Sequence, residues 1–321
     1  MKLTDAQKNV LGSLELDAEK VLNLVARETK MKHSNVQRIL SDLVARGVID
    51  GKTAVIDLAK LGLVEYAFIL AVNLKSNHEL EEVVTYLLKH PAVSWIAEVG
   101  GVYDLMFNVV ARHPKEVVSF FDRLSKAFPG LIKSKVSYIR TERLRYWRGY
   151  LGAKSHRTPG FHLGKAQNLI QIDDRDRLIL KALANLKHHS FRELAHSVGL
   201  PIATFLRRMR ALEQQEIILG FGYRIDLDLL ELEQYRILIS VTRDSEEWFR
   251  RLQNFCLKTG RVKLLTRTLG GFDFDLEVDV SNPRELKALL LDIRAQFPEA
   301  SATTETLPIF RHRKFISFPA I

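Results

Sequence analysis

The sequence predicts an α+β fold in which a small three-helix unit, followed by a unit of four strands and two helices, occurs twice in tandem. Three observations predict it. Residue i is answered by residue i+169, as in Leu11 and Leu180, Arg38 and Arg207, Leu43 and Leu212, and the Ile-Asp-Leu triplets that begin at Ile56 and Ile225. A solenoid repeats every ~20–50 residues, so this period belongs to a duplicated domain pair. Within each repeat the hydrophobic spacing is helical at first and then alternates between period-2 and helical runs. Last, the second part of each repeat reads strand, helix, strand, strand, helix, strand, which is the order of a ferredoxin-like unit.

Taken in order, Val10, Leu11 and Leu14, then Val21, Leu22, Leu24 and Val25, then Val36, Ile39, Leu40 and Leu43 mark three short helices. The second copy repeats them with Leu178, Leu180 and Leu183, with Phe191, Leu194 and Val198, and with Ile202, Phe205, Leu206, Met209 and Leu212. A β-rich run follows each trihelical head, at 53–58 and 221–227, and suits a wing or hinge strand. The expected strands of the first α/β unit are 66–74, 93–99, 104–111 and 131–139, with helices at 79–89 and 114–128. Those of the second are 235–241, 262–269, 274–280 and 301–308, with helices at 245–258 and 283–297. The predicted domains are thus a head at 1–50, a hinge at 51–62, a sensor at 63–140, a basic linker at 141–171, a second head at 172–222 and a second sensor at 223–321.

The formal charge of +10 is unevenly spread. Residues 140–170 carry seven Lys/Arg against one acid and 311–321 carry three against none, whereas the heads at 1–50 and 171–222 are only +1 and +2. The basic excess therefore falls on linker and tail, where Arg140, Arg143, Arg145 and Arg148 interleave with Tyr146 and Trp147, and Arg311, Arg313 and Lys314 precede Phe315. Phosphate contact and an edge strand with its charges in solvent both suit such a pattern. No stretch approaches the roughly 20 apolar residues of a membrane span, and the first residues lack the apolar core of a signal peptide, so cytoplasmic residence without membrane association is expected. Cys256, the single cysteine, is read as a buried thiol. The histidines lack zinc-ligand spacing, and neither a metal, a cofactor nor a catalytic residue is expected.

In each head the last two helices are close enough for a helix-turn-helix, whose final helix enters the major groove. At roughly 100° per residue, burying Val36, Ile39, Leu40 and Leu43 turns Ser34, Arg38 and Ser41 outward with Asn35 and Gln37 at the margins. The same construction on the second head turns out Thr204 and Arg207, flanked by Arg208 and Arg210. Arg38 and Arg207 are equivalent by offset, and guanidinium groups there can meet guanine edges or phosphates. The alternative is an ordinary solvated helix face.

The run from Ile172-Asp173-Asp174-Arg175 through Arg192-Glu193-Leu194-Ala195 and Val198-Gly199-Leu200 to Arg207-Arg208-Met209-Arg210-Ala211-Leu212-Glu213 resembles the DNA-binding head of the Lrp/AsnC, or feast/famine, regulators. Gly101-Val102-Tyr103-Asp104 and Gly270-Gly271-Phe272-Asp273 are similar to that family's Gly-x-x-Asp turn. The resemblance implies a transcription regulator that binds double-stranded DNA and an amino acid or related small effector, as a homo-oligomer or an intrachain pseudo-dimer. It carries over Gly101, Tyr103, Asp104, Gly270, Phe272 and Asp273 as effector-site candidates, beside the plain reading of a hairpin turn with an Asx hydrogen bond. Departures are Lys30 where the second head has Gly199, Glu216 where the first has Gly47, and Lys32 and Pro201 where the family usually places a capping Ser. Two other readings remain: a siroheme-type tetrapyrrole decarboxylase of similar tandem build, for which strands 105–110 and 276–280 look too apolar or acidic, and a ligand-sensing interaction protein with vestigial heads.

Overall fold

The computed structural model describes residues 2–73, 76–152, 158–165, 168–184, 189–241, 245–298 and 304–319. Position 74, positions 301–303 and parts of the expected linker lie outside the described residues.

The first head is α1 (Asp5–Leu14), α2 (Leu22–Thr29) and α3 (His33–Ala45), followed by the wing strand β1 (Ile49–Ile56). Thr4 starts α1 with a capping box, its hydroxyl accepting from the Gln7 amide while the Gln7 side chain accepts from the Thr4 amide. The second head is α6 (Asp174–Ala184), α7 (Phe191–Ser197) and α8 (Ile202–Gln214), with wing strand β7 (Ile218–Ile225), and Ser190 and Glu193 form the same box at α7. The turns into α3 and α8 pass through left-handed residues, Lys30 at φ 56° and Gly199 at φ 68°. The two heads are not separate bodies. β1 and β7 pair antiparallel, and Val10, Leu43, Ile179, Leu180 and Phe205 belong to one continuous apolar core.

Each α/β unit keeps the expected connectivity. In the first, β2 (Val64–Val72), α4 (Asn77–Lys89), β3 (Val93–Val99), β4 (Leu105–Ala111), α5 (Pro114–Ala127) and β5 (Ile132–Arg145) give the strand order β5-β2-β4-β3. In the second, β8 (Glu233–Ile239), α9 (Glu246–Thr259), β9 (Val262–Gly270), β10 (Phe274–Val280), α10 (Pro283–Gln296) and β11 (Thr304–Phe315) give β11-β8-β10-β9. The two expected ferredoxin-like domains are nevertheless not two sheets. Edge strand β3 pairs with β11 and edge strand β5 with β9, so eight antiparallel strands close into one barrel. Closure satisfies the unpaired edge amides that two open sheets would leave.

Period-2 alternation then sorts the side chains. Leu105, Phe107 and Val109 of β4, and Phe274, Leu276, Val278 and Val280 of β10, face outward into apolar clusters shared with the helices. The opposite residues face inward. Ala67, Ile69, Trp95, Ala97, Met106, Tyr138, Leu238 and Leu307, drawn from both halves, fill part of the barrel interior.

The stretch 141–171, expected as an extended linker, is built into this body where it is described. β5 runs on to Arg145, a 3-10 turn occupies Gly149–Leu151, and β6 (Phe161–Leu163) pairs with the end of β5. Gly149 lies so close to Gly260 that a Cβ would sit 2.8 Å from the Gly260 Cα, and its amide donates to the Gly260 carbonyl at 2.9 Å. The basic tail likewise continues β11 beside β3 and does not hang free.

Candidate nucleic-acid interface and the cavity beneath it

Helices α3 and α8 bury one face and leave the other open. Val36, Ile39 and Leu43 are buried on α3, while Ser34, Asn35, Gln37, Arg38 and Ser41 are all exposed. On α8, Phe205, Met209 and Leu212 are buried, Arg207 and Arg210 are exposed and Thr204 is half-buried. Arg208 differs. Its guanidinium reaches back to Asp173 at 2.9 Å and Asp176 at 2.8 Å, tying α8 to the start of α6. Of the residues proposed to meet DNA it is therefore the one committed within its own head, and among the described residues Arg38 and Arg207 carry no ion pair.

The two Gly-x-x-Asp turns are built alike. Asp104 Oδ2 accepts from the Val72 amide at 2.8 Å while the Asp104 amide donates to the Leu70 carbonyl at 2.9 Å. Asp273 makes the same pair of bonds with Val241 at 2.7 Å and Ile239 at 2.9 Å. Each carboxylate thus holds the end of a neighbouring strand. Gly101 is exposed at φ 90°, Tyr103 is half-buried, and Phe272 is buried edge-on against Tyr138 with ring centroids 6.2 Å apart. Gly270 cannot easily be another residue, because at φ 129° a Cβ would lie 2.9 Å from the Ser137 carbonyl oxygen.

A cavity of about 980 Å³ lies between the paired wing strands and the mouth of the barrel. Its lining includes Arg140, Arg143, Arg145 and Arg148 from the end of β5 and beyond, Arg224 from β7, Arg236 from β8, Lys263 from β9, and Arg311, His312, Arg313 and Lys314 from β11. Sequence reading placed Arg140, Arg143, Arg145 and Arg148 on a linker and Arg311, Arg313 and Lys314 on a tail. The period-2 spacing of Arg143 and Arg145 was the available signal that one side of a continuing strand turns them inward.

Five of these cations, Arg140, Arg143, Arg148, Arg236 and Lys263, are held by buried acids. Asp275 takes Arg140 at 3.1 Å, Arg236 at 3.2 Å and the Tyr138 hydroxyl at 2.9 Å. Glu277 takes Arg236 at 3.0 Å and pairs with Lys263, and these cations hold its carboxyl well below the usual range despite burial. Burial pulls Lys263 down as well. Asp279 takes Arg148 at 2.7 Å, the Gln234 amide at 2.9 Å and the Tyr150 hydroxyl at 2.7 Å. Arg148 also pairs with Glu15, the fully buried residue just after α1, and so joins head to barrel. His312 receives the Trp95 indole N–H on Nδ1 at 3.2 Å and meets Gln234 through Nε2. The surrounding protein displaces water from the ring and, with Lys263 and Arg236 near, pushes its pKa down to about 4. Cys256 is buried in the α9 core, where burial pushes the thiol up. Among the described residues no group of three or more His, Cys, Asp or Glu is placed to hold a metal ion, and no helix is long and apolar enough to cross a membrane.

A protein with winged helix-turn-helix heads mounted on a closed α/β barrel is the class that this geometry defines. Residues 172–218 match a family described as winged helix-turn-helix DNA-binding. The chain is 29% identical over 129 residues to the HTH-type transcriptional regulator FL11 of Pyrococcus horikoshii, covering 40% of this chain and 83% of that protein. It is 28% identical over 131 residues to the Bkd operon transcriptional regulator of Pseudomonas aeruginosa (40% and 86%), and 27% identical over 148 residues to the DNA-binding transcriptional activator DecR of Escherichia coli K12 (45% and 95%). These relatives are helix-turn-helix transcriptional regulators, to which the chain is similar over 40–45% of its length. Over its whole length its fold is similar to that of the siroheme decarboxylase NirDL, with a TM-score of 0.59, 14% identity, and coverage of 98% of this chain and 93% of that one. NirDL in complex with an iron-uroporphyrin III analogue gives a TM-score of 0.60 at the same identity.

Proposed function

We propose that this chain is a sequence-specific, DNA-binding transcription regulator that answers to a small effector. The observation that carries the reading is the outward placement of Arg38 and Arg207 at corresponding positions of two recognition helices, in heads locked together by the β1–β7 pairing. One chain then supplies both halves of what a homodimer would present, with two non-identical reading faces. Such a pair fits an asymmetric operator whose half-sites lie about 10–10.5 base pairs apart or a multiple of that. The names of the relatives support the same reading.

The test is selection of bound sites from random duplexes, followed by gel-shift titration of Arg38→Ala and Arg207→Ala. Each variant is expected to weaken the selected site by about 1–3 kcal/mol and to relax preference at the base that its guanidinium reads. Equal affinity of both variants and the wild type for every selected site would remove the recognition helices from the interface.

A second reading has one observation in its favour. The sequence argued against a tetrapyrrole decarboxylase because strands 105–110 and 276–280 lack basic residues, yet β5, β8, β9 and β11 deliver Arg, Lys and His to one cavity. Together with the whole-chain likeness in fold to NirDL, this keeps decarboxylation of a tetrapyrrole as the alternative. Incubation of the purified chain with siroheme, followed by mass spectrometry for loss of CO2, decides it.

A further inference from the structure

We propose that the cavity between the wing strands and the barrel mouth binds a large organic polyanion, with at least two carboxylates carried on an apolar frame. This deepens the regulatory reading, on which its consequence for the heads rests, by moving the effector from the Gly-x-x-Asp turns to the joint between heads and barrel.

Size comes first. At about 980 Å³ the cavity stands at the upper end of ligand sites, which run roughly 300–1,000 Å³ and hold drug-sized molecules. Its lining is rich in cations, which suits an anionic occupant. Ten Lys/Arg line it against six Asp/Glu, and Arg140, Arg148 and Arg313 also pair with acids just outside the lining.

The pairing pattern points to where an anion goes. Arg140, Arg143, Arg148, Arg224, Arg236, Lys263 and Arg313 have acidic partners, and Lys314 donates to the Leu88 and His90 carbonyls. The side chains of Arg145 and Arg311 have neither an ion pair nor a hydrogen bond among the described residues. Arg145 lies against Gly222, its guanidinium nitrogens 3.5 and 3.6 Å from where a Cβ would be. Burial pulls its pKa down to about 10, because the attraction of Glu15 and Glu277 falls short of the water it has lost and Arg148 repels it. It is still a cation at neutral pH, and a bound carboxylate would supply the missing partner.

Unmet hydrogen bonds gather around the same space. Ser94 Oγ, Asn108 Oδ1 and the Nε atoms of Arg140, Arg224 and Arg236 are buried without partners, and all five residues line the cavity. Native interiors leave few such groups, and a cluster of them calls for an occupant. Apolar side chains share the wall, among them Val55, Trp95, Leu163, Leu264 and Ile309, with the Arg236 guanidinium 4.9 Å above the Trp95 ring. Arg145 and Arg311 stand on different strands from different halves. Anionic groups held apart by an apolar body fit that spread better than one compact phosphate. Arg148 lines the same cavity and links Glu15 of the head to Asp279 of the barrel, so an occupant would lie against the head–barrel joint.

Isothermal titration of the full chain with pamoate, two carboxylates on a pair of naphthalene rings, tests the site. One pamoate per chain is expected, with Arg145→Gln weakening uptake at least tenfold and Arg311→Gln weakening it less. Because Arg145→Gln removes a cation that has no partner, its Tm should equal or exceed that of the wild type, which separates loss of ligand from loss of fold. No uptake, or uptake indifferent to both variants, overturns the site. Inorganic triphosphate bound as tightly with the same dependence on Arg145 overturns the polycarboxylate class. A chain that takes up pamoate but ignores DNA keeps the site and loses the regulator, and one that binds DNA but no pamoate loses only the site.

Discussion

At the 169-residue offset, Met106, Asn108 and Val110 of β4 correspond to Asp275, Glu277 and Asp279 of β10. The two strands have the same place in their halves, yet one presents no charge to the interior and the other three carboxylates. Their partners diverge with them, since Ala67 corresponds to Arg236 and Ile309 to Arg140. A symmetric homodimer could not do this. Three acids on each copy would bring six into one barrel, and like charges in low dielectric repel strongly. Two halves on one chain can hold one acidic wall against one neutral wall.

The largest test of this contrast is to give the second half the first half's chemistry. Asp275→Met leaves Arg140 and Arg236 without their shared carboxylate at a site with no solvent exposure, and removing one partner of a buried ion pair costs about 3–5 kcal/mol. Urea denaturation should show that loss. Adding Arg140→Ile and Arg236→Ala completes the first-half pattern and should recover most of it, because a buried ionic network can be exchanged for apolar residues at little or no cost. Glu277 would keep Lys263 in the triple variant. A triple variant no more stable than the single one would break the comparison. Met106→Leu, with no charge involved, should cost less than about 1.5 kcal/mol.

A smaller contrast lies in the heads. Each has a left-handed residue before its third helix and another after it, and each uses glycine at only one of the two. In the first head Lys30 has φ 56° and Gly47 has φ 75°, while in the second Gly199 has φ 68° and Glu216 has φ 54°. A side chain in that region costs about 1–2 kcal/mol, partly offset by the greater freedom glycine has when unfolded. Lys30→Gly should therefore stabilise the protein by up to about 1 kcal/mol, and Gly199→Ala should destabilise it by about as much. Glu216→Gly should gain less, because Glu216 holds Lys60 at 2.7 Å across the two halves. Paired thermal melts measure all three.

The 169-residue offset and the change of period made the order of helices and strands legible, because they depend on spacing along one segment. Barrel closure was not, since nothing within β3 or β5 names β11 or β9 as its neighbour. The same gap hid the cavity. Arg140 to Arg148 read as a linker because they follow the last strand that a ferredoxin-like unit needs, and only the pairing of β5 with β9 and β6 shows that the strand runs on to Arg145. The outward face of α3 was readable to the residue, helix geometry being local. That Arg208 would turn back to Asp173 and Asp176 was not, because the contact spans more than thirty positions.

A further contrast concerns one contact made twice. In the first half Arg143 pairs with Glu65, and at the same offset His312 meets Gln234. The first is an ion pair, whereas burial favours the neutral imidazole in the second. His312 Nδ1 already accepts the Trp95 N–H, so protonation would set two donors against each other, and Lys263 and Arg236 oppose it while Glu277 and Asp279 favour it. Its pKa falls from 6.5 when unfolded to about 4 when folded. Between those values the unfolded chain binds a proton that the native chain refuses, so stability is complete above pH 6.5 and declines as pH drops toward 4. His90, lowered chiefly by burial, contributes a decline of the same sign in any variant. Tm measured from pH 7 to pH 4.5 should therefore fall less steeply for His312→Asn than for the wild type. Coincident slopes would mean that the second half's neutral contact does not differ from the first half's ion pair in its response to protons.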